Sequence, residues 1–211
     1  MNSAMLIAFE FIVLIFSAVL HEVAHGYTAQ RLGDDTAERA GRLTLNPLKH
    51  LDPFGSVIMP ALLYLASGGS FFFASAKPVP YNPNNLKNPR SGGAQIALAG
   101  PLTNFALAAI FGIVIRVLAY VPVPDTLLTL LALIVYVNIL LGMFNLVPIP
   151  PLDGSRLLFA ALPQTEATRR TEFFLERWGI FIVLLFVFFG FQILTPIMNA
   201  VFVAFTGQSL M

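Results

Sequence analysis

The chain has 211 residues, of which 57% are apolar and only 11% are charged. A typical soluble domain carries about 25% charged residues, so the composition argues against a soluble enzyme. The net charge of +1 excludes a nucleic-acid binder, and the absence of cysteine excludes a disulfide scaffold. Together with a mean hydropathy of +0.78, these values predict an integral membrane protein.

Several apolar runs follow one another along the chain, and most are long enough to cross a membrane. The first is a retained helix rather than a signal peptide, because no basic residue precedes Arg31. The second is too short to span and is followed by a β-favouring strip, which together favour a re-entrant segment. Pro196 is expected to kink or split the last run. The runs cover residues 3–24, 54–66, 94–121, 127–147 and 178–205.

This pattern predicts an all-α polytopic membrane protein, a bundle of about four to six transmembrane helices. A small membrane-associated β element and a re-entrant segment complete the expected fold. We expect a single transmembrane domain over residues 1–211, with a core of about 1–160 and a helical region at about 165–206. We therefore expect the chain to lie in a lipid bilayer. We expect no nucleic-acid partner.

Basic residues set the expected orientation. They concentrate in the polar stretches 28–52, 77–93 and 153–177, which the positive-inside rule places in the cytoplasm. This arrangement requires residues 54–76 to enter the membrane and return on the same side. The sequence thus predicts a multi-pass protein of the cytoplasmic membrane with its N-terminus outside.

The motif His21-Glu22-Val23-Ala24-His25 is H-E-x-x-H on the first predicted helix. Residues four apart share a helix face, so the two imidazoles can bind one Zn²⁺ ion. Glu22 stands beside them, where it can accept a proton from the attacking water. A pair of packed histidines beside an unrelated glutamate is the structural alternative, but polar groups inside a membrane are costly without a function.

A catalytic zinc takes three protein ligands, so one more must come from elsewhere. The candidates are His50 and the isolated carboxylates, of which Asp153 is the best. Asp153 follows the apolar run 127–147 and a proline-rich turn, and an N-cap of the next helix is its alternative role. Both the first helix and the 127–147 helix run inward, so His21 and Asp153 are expected at similar depth in the cytoplasmic half.

These residues resemble the site-2 protease family of intramembrane zinc metalloproteases, in the form of its minimal core without PDZ or CBS domains. The likeness covers residues 15–160 and rests on these segments: HEVAH at 21–25, GDDT at 33–36, GRLTLNP at 41–47, LDPFG at 51–55, AKPVP at 76–80, ALAGPLTN at 97–104 and NLVPIPPLDG at 145–154. The resemblance implies that His21, His25 and Asp153 bind Zn²⁺ and that Glu22 is the base. It also implies that Asn145 holds the substrate carbonyl or the oxyanion.

The substrate of such an enzyme would be a membrane-spanning protein, whose helix must unwind before cleavage. An exposed strand edge could hold the unwound segment, and the β-like strips 40–45 and 70–79 are the candidates. The second strip contains Phe71, Phe72 and Phe73, for which lipid-facing packing is the alternative. Asn104 binds the substrate backbone in the family interpretation, and an interhelical hydrogen bond is its alternative role.

The sequence therefore predicts an intramembrane zinc metalloendopeptidase that hydrolyses peptide bonds of transmembrane segments, as in regulated intramembrane proteolysis. The alternative is a zinc-binding membrane protein without protease activity, such as a metal transporter. A transporter is expected to show several intramembrane ligands along a path, whereas this chain concentrates them in one cluster. The intact Glu22 also favours the enzyme.

Overall fold

A computed structural model describes residues 2–51, 58, 62, 65 and 77–208, and these residues form helices, turns and extended segments without a strand. Short 3₁₀ turns occupy Pro47–Lys49 and Pro83–Asn85. The α-helices of the described residues are α1 (Ser3–Arg31), α2 (Thr36–Arg39), α3 (Pro89–Leu118), α4 (Asp125–Asn145), α5 (Asp153–Ala161), α6 (Glu166–Leu185) and α7 (Phe191–Thr206).

Four helical stretches of the described residues are long and apolar enough to cross a membrane. They are Ala4–Arg31, Pro89–Leu118, Asp125–Asn145 and Glu166–Thr206. The chain is therefore a membrane protein, as its composition predicts, and its described residues contain helices but no strand. The predicted re-entrant segment, residues 54–76, falls almost entirely outside the described residues.

Polar side chains fix the starts of three of these helices. Asn2 accepts a hydrogen bond from Met5 N–H at the start of α1, and Asn88 accepts one from Ser91 N–H at the start of α3. Thr165 caps α6 in the same way, where the sequence predicts a helix start. Such caps satisfy backbone N–H groups that have no partner within the helix.

Helix α3 lies at the centre of the bundle and packs against α1, α4, α5 and α7. Gly112 allows a close approach to α7, because a Cβ atom there would lie 2.8 Å from the Cβ of Phe205. Small residues permit such close packing between membrane helices. The main apolar core joins buried side chains of α3, α4 and α7, namely Ala108, Ile115, Val135, Ile139, Met198 and Phe202.

The last span, Glu166–Thr206, is one continuous helical stretch. A π-helical turn at Phe186–Gly190 joins α6 to α7, and Pro196 lies inside α7 without ending it. The irregularity of this span therefore falls at the π turn, before the proline that the sequence singles out.

The predicted β strip at 40–45 does not form a strand. A turn follows α2 there, in which Gly41 has a positive φ of 64° and Arg42 N–H donates to Ala37 O. This turn directs the Arg42 side chain to Lys77 O, 2.7 Å away. The local hydrogen bonds of the helix end thus prevail over the β-favouring composition of the strip.

Asp34 joins two loops that border the bundle. Its buried carboxylate accepts hydrogen bonds from the backbone and hydroxyl of Thr36, from Asn82 N–H and from the Asn85 amide. Burial raises the pKa of Asp34, but the hydrogen bonds from Thr36, Asn82 and Asn85 outweigh it, so the pKa lies below its ordinary value of 3.8. The carboxylate therefore holds the loop after α1 against the turn before α3.

We expect Asp34→Ala to lower the free energy of unfolding by about 1.5–3 kcal/mol, because several donors lose a charged partner. Since the folded pKa is depressed, this contribution is complete above the ordinary carboxylate value and is lost as the pH falls through the lower folded value. Thermal unfolding in detergent measures the effect. Asp35→Ala is the matched control, because Asp35 forms an exposed pair with Arg39 that is worth at most about 1 kcal/mol. Equal losses from both variants would contradict the assignment.

Candidate metal centre

The two histidines of HEVAH lie on one face of α1, as their spacing predicts. Their ring centroids are 4.6 Å apart and their planes are nearly perpendicular. The His21 side chain is 7% exposed and that of His25 is 11% exposed. The motif thus places two imidazoles together inside the bundle.

Asp153 is the first residue of α5 and meets both rings. Its Oδ2 atom lies 3.0 Å from His21 Nε2 and 3.2 Å from His25 Nε2. Gly154 makes this position possible through close packing, because a Cβ there would lie 2.1 Å from Leu146 O at the end of α4. The structure therefore brings together the three side chains that the sequence predicts as metal ligands.

The nitrogen on the far side of each ring also has a partner. His25 Nδ1–H donates to Ile96 O at 2.6 Å, and His21 Nδ1–H donates to Asn104 Oδ1 at 2.6 Å. With the proton on Nδ1, a neutral imidazole carries its lone pair on Nε2. The Nε2 atom of each ring therefore faces the Asp153 carboxylate, and its lone pair becomes available when a metal ion replaces a proton there.

The Asp153 carboxyl is ionised at neutral pH. Burial raises its pKa, but the hydrogen bonds and charges of the His21 and His25 rings outweigh burial and lower the pKa to about 2. The site thus gathers one carboxylate oxygen and two ring nitrogens within 4.8 Å of one another. Ring protons hold these atoms together in the metal-free protein, and a metal ion among them would take the place of those protons.

These residues fit a zinc ion. Two imidazole nitrogens and one carboxylate are the ligand set of many catalytic zinc sites, and ring N–H groups held by outer partners are typical of zinc-binding histidines. Gly100 of α3 leaves room beside them, because a Cβ there would lie 2.5 Å from His21 Nε2 and 2.6 Å from His25 Cε1.

Glu22 follows His21 in the sequence and its side chain is half-buried. Its carboxylate has a hydrogen-bond partner on the backbone. Glu22 Oε2 accepts a hydrogen bond from Val79 N–H at 2.8 Å. Val79 belongs to the extended segment 77–80, in which Lys77 N–H donates to His50 O. The segment therefore holds one oxygen of the predicted base.

The other predicted site residues have different surroundings. Asn145 ends α4, and its amide donates to Leu141 O at 2.9 Å rather than into the metal centre. Asn104 is fully buried, and its contacts with His21 and α4 are those of the interhelical alternative. His50 is buried and its Nε2–H donates to Thr44 O, away from the three ligands. Phe71, Phe72 and Phe73, which the sequence predicts to bind substrate, lie outside the described residues.

Sequence reasoning missed two buried polar residues that connect to the site. Ser17 of α1 and Asn138 of α4 contact the Asn104 amide or one another within the bundle. Asn138 is the one asparagine between Asp125 and Phe144 in an otherwise apolar span. A polar residue inside such a span indicates a function, and this signal could have identified it.

A bundle of membrane-length helices with this donor set and an H-E-x-x-H motif defines a membrane-embedded metalloprotein of the zinc-peptidase type. The family model "Peptidase family M50" matches residues 121–189, which include Asp153. "Putative zinc metalloprotease YwhC" of Bacillus subtilis is 38% identical over 197 residues, covering 90% of this chain and 85% of that protein. The chain therefore belongs to peptidase family M50, the zinc metalloproteases that include the site-2 proteases.

Other relatives agree with this family. "Putative zinc metalloprotease Rip2" of Mycolicibacterium smegmatis is 32% identical, covering 88% of this chain and 66% of that protein. "Zinc metalloprotease MJ0392" of Methanocaldococcus jannaschii is 28% identical, covering 90% of this chain and 45% of that protein. No solved structure matches the chain significantly.

Proposed function

We propose that this protein is a zinc metalloendopeptidase that hydrolyses peptide bonds of transmembrane segments, with residues 1–211 acting as one protease domain. The observation that carries the proposal is the meeting of His21 and His25, on a membrane-length helix, with Asp153 of the short helix α5. Membership of peptidase family M50 supports hydrolysis as the reaction. The position of the two histidines within an apolar span supports a membrane-embedded substrate.

In the proposed mechanism His21, His25 and Asp153 hold the metal, and Glu22 handles the proton. Zinc at this site supplies a Lewis acid that polarises the peptide carbonyl and lowers the pKa of water to about 7. The Glu22 carboxylate accepts a proton from the attacking water and passes it to the leaving amine. The Val79 N–H group holds Glu22 Oε2, so Oε1 is the oxygen left to take the proton.

Asn145 is proposed to stabilise the oxyanion that forms on the substrate carbonyl. Its Nδ2 group donates to Leu141 O in the free protein, so this role requires the side chain to rotate when substrate binds. This hydrogen bond to a neutral carbonyl one helical turn earlier is weak enough for the Asn145 amide to give it up and donate to a charged acceptor instead.

We expect Asn145→Leu to lower kcat by about 10²–10³-fold, the usual effect of removing one oxyanion donor. Zinc content should stay unchanged, because the hydrogen bond of Asn145 goes to Leu141 O rather than to any of the three donors. Cleavage kinetics on a model transmembrane substrate, with metal analysis of the same preparation, measure both effects. Asn145→Asp is a companion variant that keeps the size of the side chain but removes its donor. Full activity in both variants would remove Asn145 from the mechanism.

The orientation that we propose has the N-terminus outside and the metal centre in the cytoplasmic half of the cytoplasmic membrane. Helices α1 and α4 both approach the site with their C-terminal ends, near the basic stretches 28–52 and 153–177. Arg116 is the exception, near the opposite end of α3. Its guanidinium donates to Ala204 O and Phe205 O, so it caps the last turn of α7 instead of standing free.

The described part of the proposed substrate edge has few free donors. In segment 77–80 the N–H groups of Lys77 and Val79 are used by His50 O and Glu22, and the two prolines have none. Lys77 O already accepts from Arg42. An extended substrate that pairs with this segment must therefore donate to the remaining carbonyl oxygens.

Metal analysis and a cleavage assay together test the function. We expect purified wild-type protein to hold one zinc and to cleave a model single-span substrate, and His21→Ala to lose both properties. Thr28→Ala, near the end of the same helix, is a control for handling in detergent. Full zinc occupancy without hydrolysis of any substrate would favour a non-proteolytic zinc protein or a metal transporter. No zinc in the wild-type protein would overturn the proposal.

A further inference from the structure

A chain of polar side chains crosses the interior of the bundle next to the metal centre. Ser17 of α1, Asn104 of α3 and Asn138 of α4 are 4%, 0% and 1% exposed. They belong to three different membrane-length helices whose cores are otherwise apolar. Polar groups buried at this depth are costly unless they are fully paired and serve a purpose.

The hydrogen bonds among these three side chains can run in only one direction from donor to acceptor. A backbone carbonyl at one end sets that direction. Asn138 Nδ2 donates to Ile134 O at 2.9 Å, and a carbonyl oxygen can only accept. The same Nδ2 group donates to Ser17 Oγ at 3.0 Å. The amide orientation of Asn138 is thereby fixed, with Oδ1 as an acceptor facing α3.

The orientation of the Asn138 amide in turn sets the orientation of the Asn104 amide. Its Nδ2 group donates to Asn138 Oδ1 at 3.0 Å and to Ser17 O at 3.4 Å. Asn104 Oδ1 must therefore face the other way, where it accepts from His21 Nδ1–H at 2.6 Å. A proton held on Nδ1 makes Nε2, which faces Asp153 Oδ2 at 3.0 Å, the nitrogen available to a metal.

The two histidines differ in what holds them. His25 Nδ1–H donates directly to Ile96 O, a backbone acceptor that cannot turn round. The proton of His21 instead depends on an amide, which can flip and offer its NH₂ group when nothing fixes it. A flipped Asn104 would donate to His21 Nδ1 and place the ring proton on Nε2, which blocks that nitrogen as a ligand.

We propose that Asn138 and Asn104 form a relay that fixes the tautomer of His21 for metal binding, with Asn138 as a positioning residue that never touches the metal. The inference rests on the proposed zinc site and adds a determinant of its affinity. Outer partners of zinc-binding histidines typically contribute 10–100-fold in affinity. Asn138 reaches His21 through the Asn104 amide, and its separate hydrogen bond to Ser17 Oγ lies outside the relay.

A double-mutant cycle on zinc affinity tests the relay. Affinity is measured by competition between the metal-free protein and a chromophoric chelator, for the wild type, Asn138→Leu, Asn104→Asp and the double variant. We expect Asn138→Leu to weaken zinc binding about tenfold, because only the long 3.4 Å hydrogen bond to Ser17 O then opposes a flip of Asn104. Asn104→Asp should retain affinity, since a carboxylate offers only acceptors to His21 whichever way it turns.

The double variant decides between the relay and packing. In the Asn104→Asp background, Asn138→Leu should no longer weaken zinc binding, because a carboxylate has no wrong orientation. An equal loss in both backgrounds would overturn the relay and assign Asn138 a packing role. Unchanged affinity in Asn138→Leu alone would also overturn it. If the wild-type protein binds no zinc, the zinc site itself fails, which is a separate result.

Nitrogen NMR provides a test that does not depend on a variant folding. The chain has three histidines, so ¹⁵N-labelled histidine gives few signals to assign. In the metal-free wild type we expect His21 Nδ1 to carry a proton, whether or not Nε2 also donates to Asp153. A His21 ring without a proton on Nδ1 would overturn the proposal. In Asn138→Leu the form without a proton on Nδ1 should increase, while His25 stays unchanged.

Discussion

Replacing Glu22 by glutamine is expected to abolish peptide hydrolysis while zinc stays bound. The amide has nearly the same size as the carboxylate, and its oxygen can still accept the hydrogen bond from Val79 N–H. It cannot accept a proton from water, and a positioned general base typically contributes 10²–10⁴-fold in rate. The three zinc donors come from other residues and keep their geometry.

The measurements for this variant are zinc stoichiometry and cleavage of a model transmembrane substrate. Glu166→Gln is the matched control, because Glu166 forms an exposed pair with Arg170 at the start of α6, far along the chain from the motif. The control should keep both zinc and activity. Retained cleavage by Glu22→Gln would show that another group acts as the base.

Adding a single methyl group at Gly100 is expected to remove zinc from a folded protein. The Cβ of Gly100→Ala would lie 2.5 Å from His21 Nε2 and 2.6 Å from the Cε1 atoms of both His21 and His25. These atoms are the outer ends of side chains, so the rings can turn away without unfolding the helices. Turning them separates the nitrogens from the Asp153 carboxylate and disperses the donor set.

The effect on zinc affinity should exceed the roughly 10–100-fold that loss of an outer partner produces, because two ligands move together. Chelator competition measures the affinity, and thermal unfolding of the metal-free protein checks the fold. Gly93→Ala is the matched control on the same helix, because its Cβ would lie 3.6 Å from the Tyr81 hydroxyl, an ordinary contact. Wild-type zinc affinity in Gly100→Ala would mean that the rings do not occupy the described positions.

The parts of the site that follow from spacing and topology could be predicted from the sequence. Residues four apart share a helix face whatever surrounds the helix, so His21 and His25 are found together. Asp153 follows from two helices that run in the same direction. The family membership that the resemblance predicts is confirmed by the relatives, whereas the roles of Glu22 and Asn145 stay predictions.

Other features depend on packing that no local pattern specifies. Which way Asn138 turns on α4 is set by its neighbours on α1 and α3, so its place beside Asn104 could not be predicted from the sequence. Gly154 lies in the helical first turn of α5 and is needed there for the close approach of Leu146 O, which no local pattern specifies. The strip 40–45 was wrongly predicted as β because the hydrogen bonds that end α2 are stronger than its local preference.

The hydrogen bond from His25 to the Ile96 carbonyl has a consequence for how this enzyme can evolve. Every amino acid supplies a main-chain oxygen at position 96, so no point mutation there deletes this acceptor. Substitutions can change the side chains that hold His21, whereas the acceptor that holds His25 is part of the backbone and stays the same. Changes of metal preference among related sequences should therefore arise first from residues around His21.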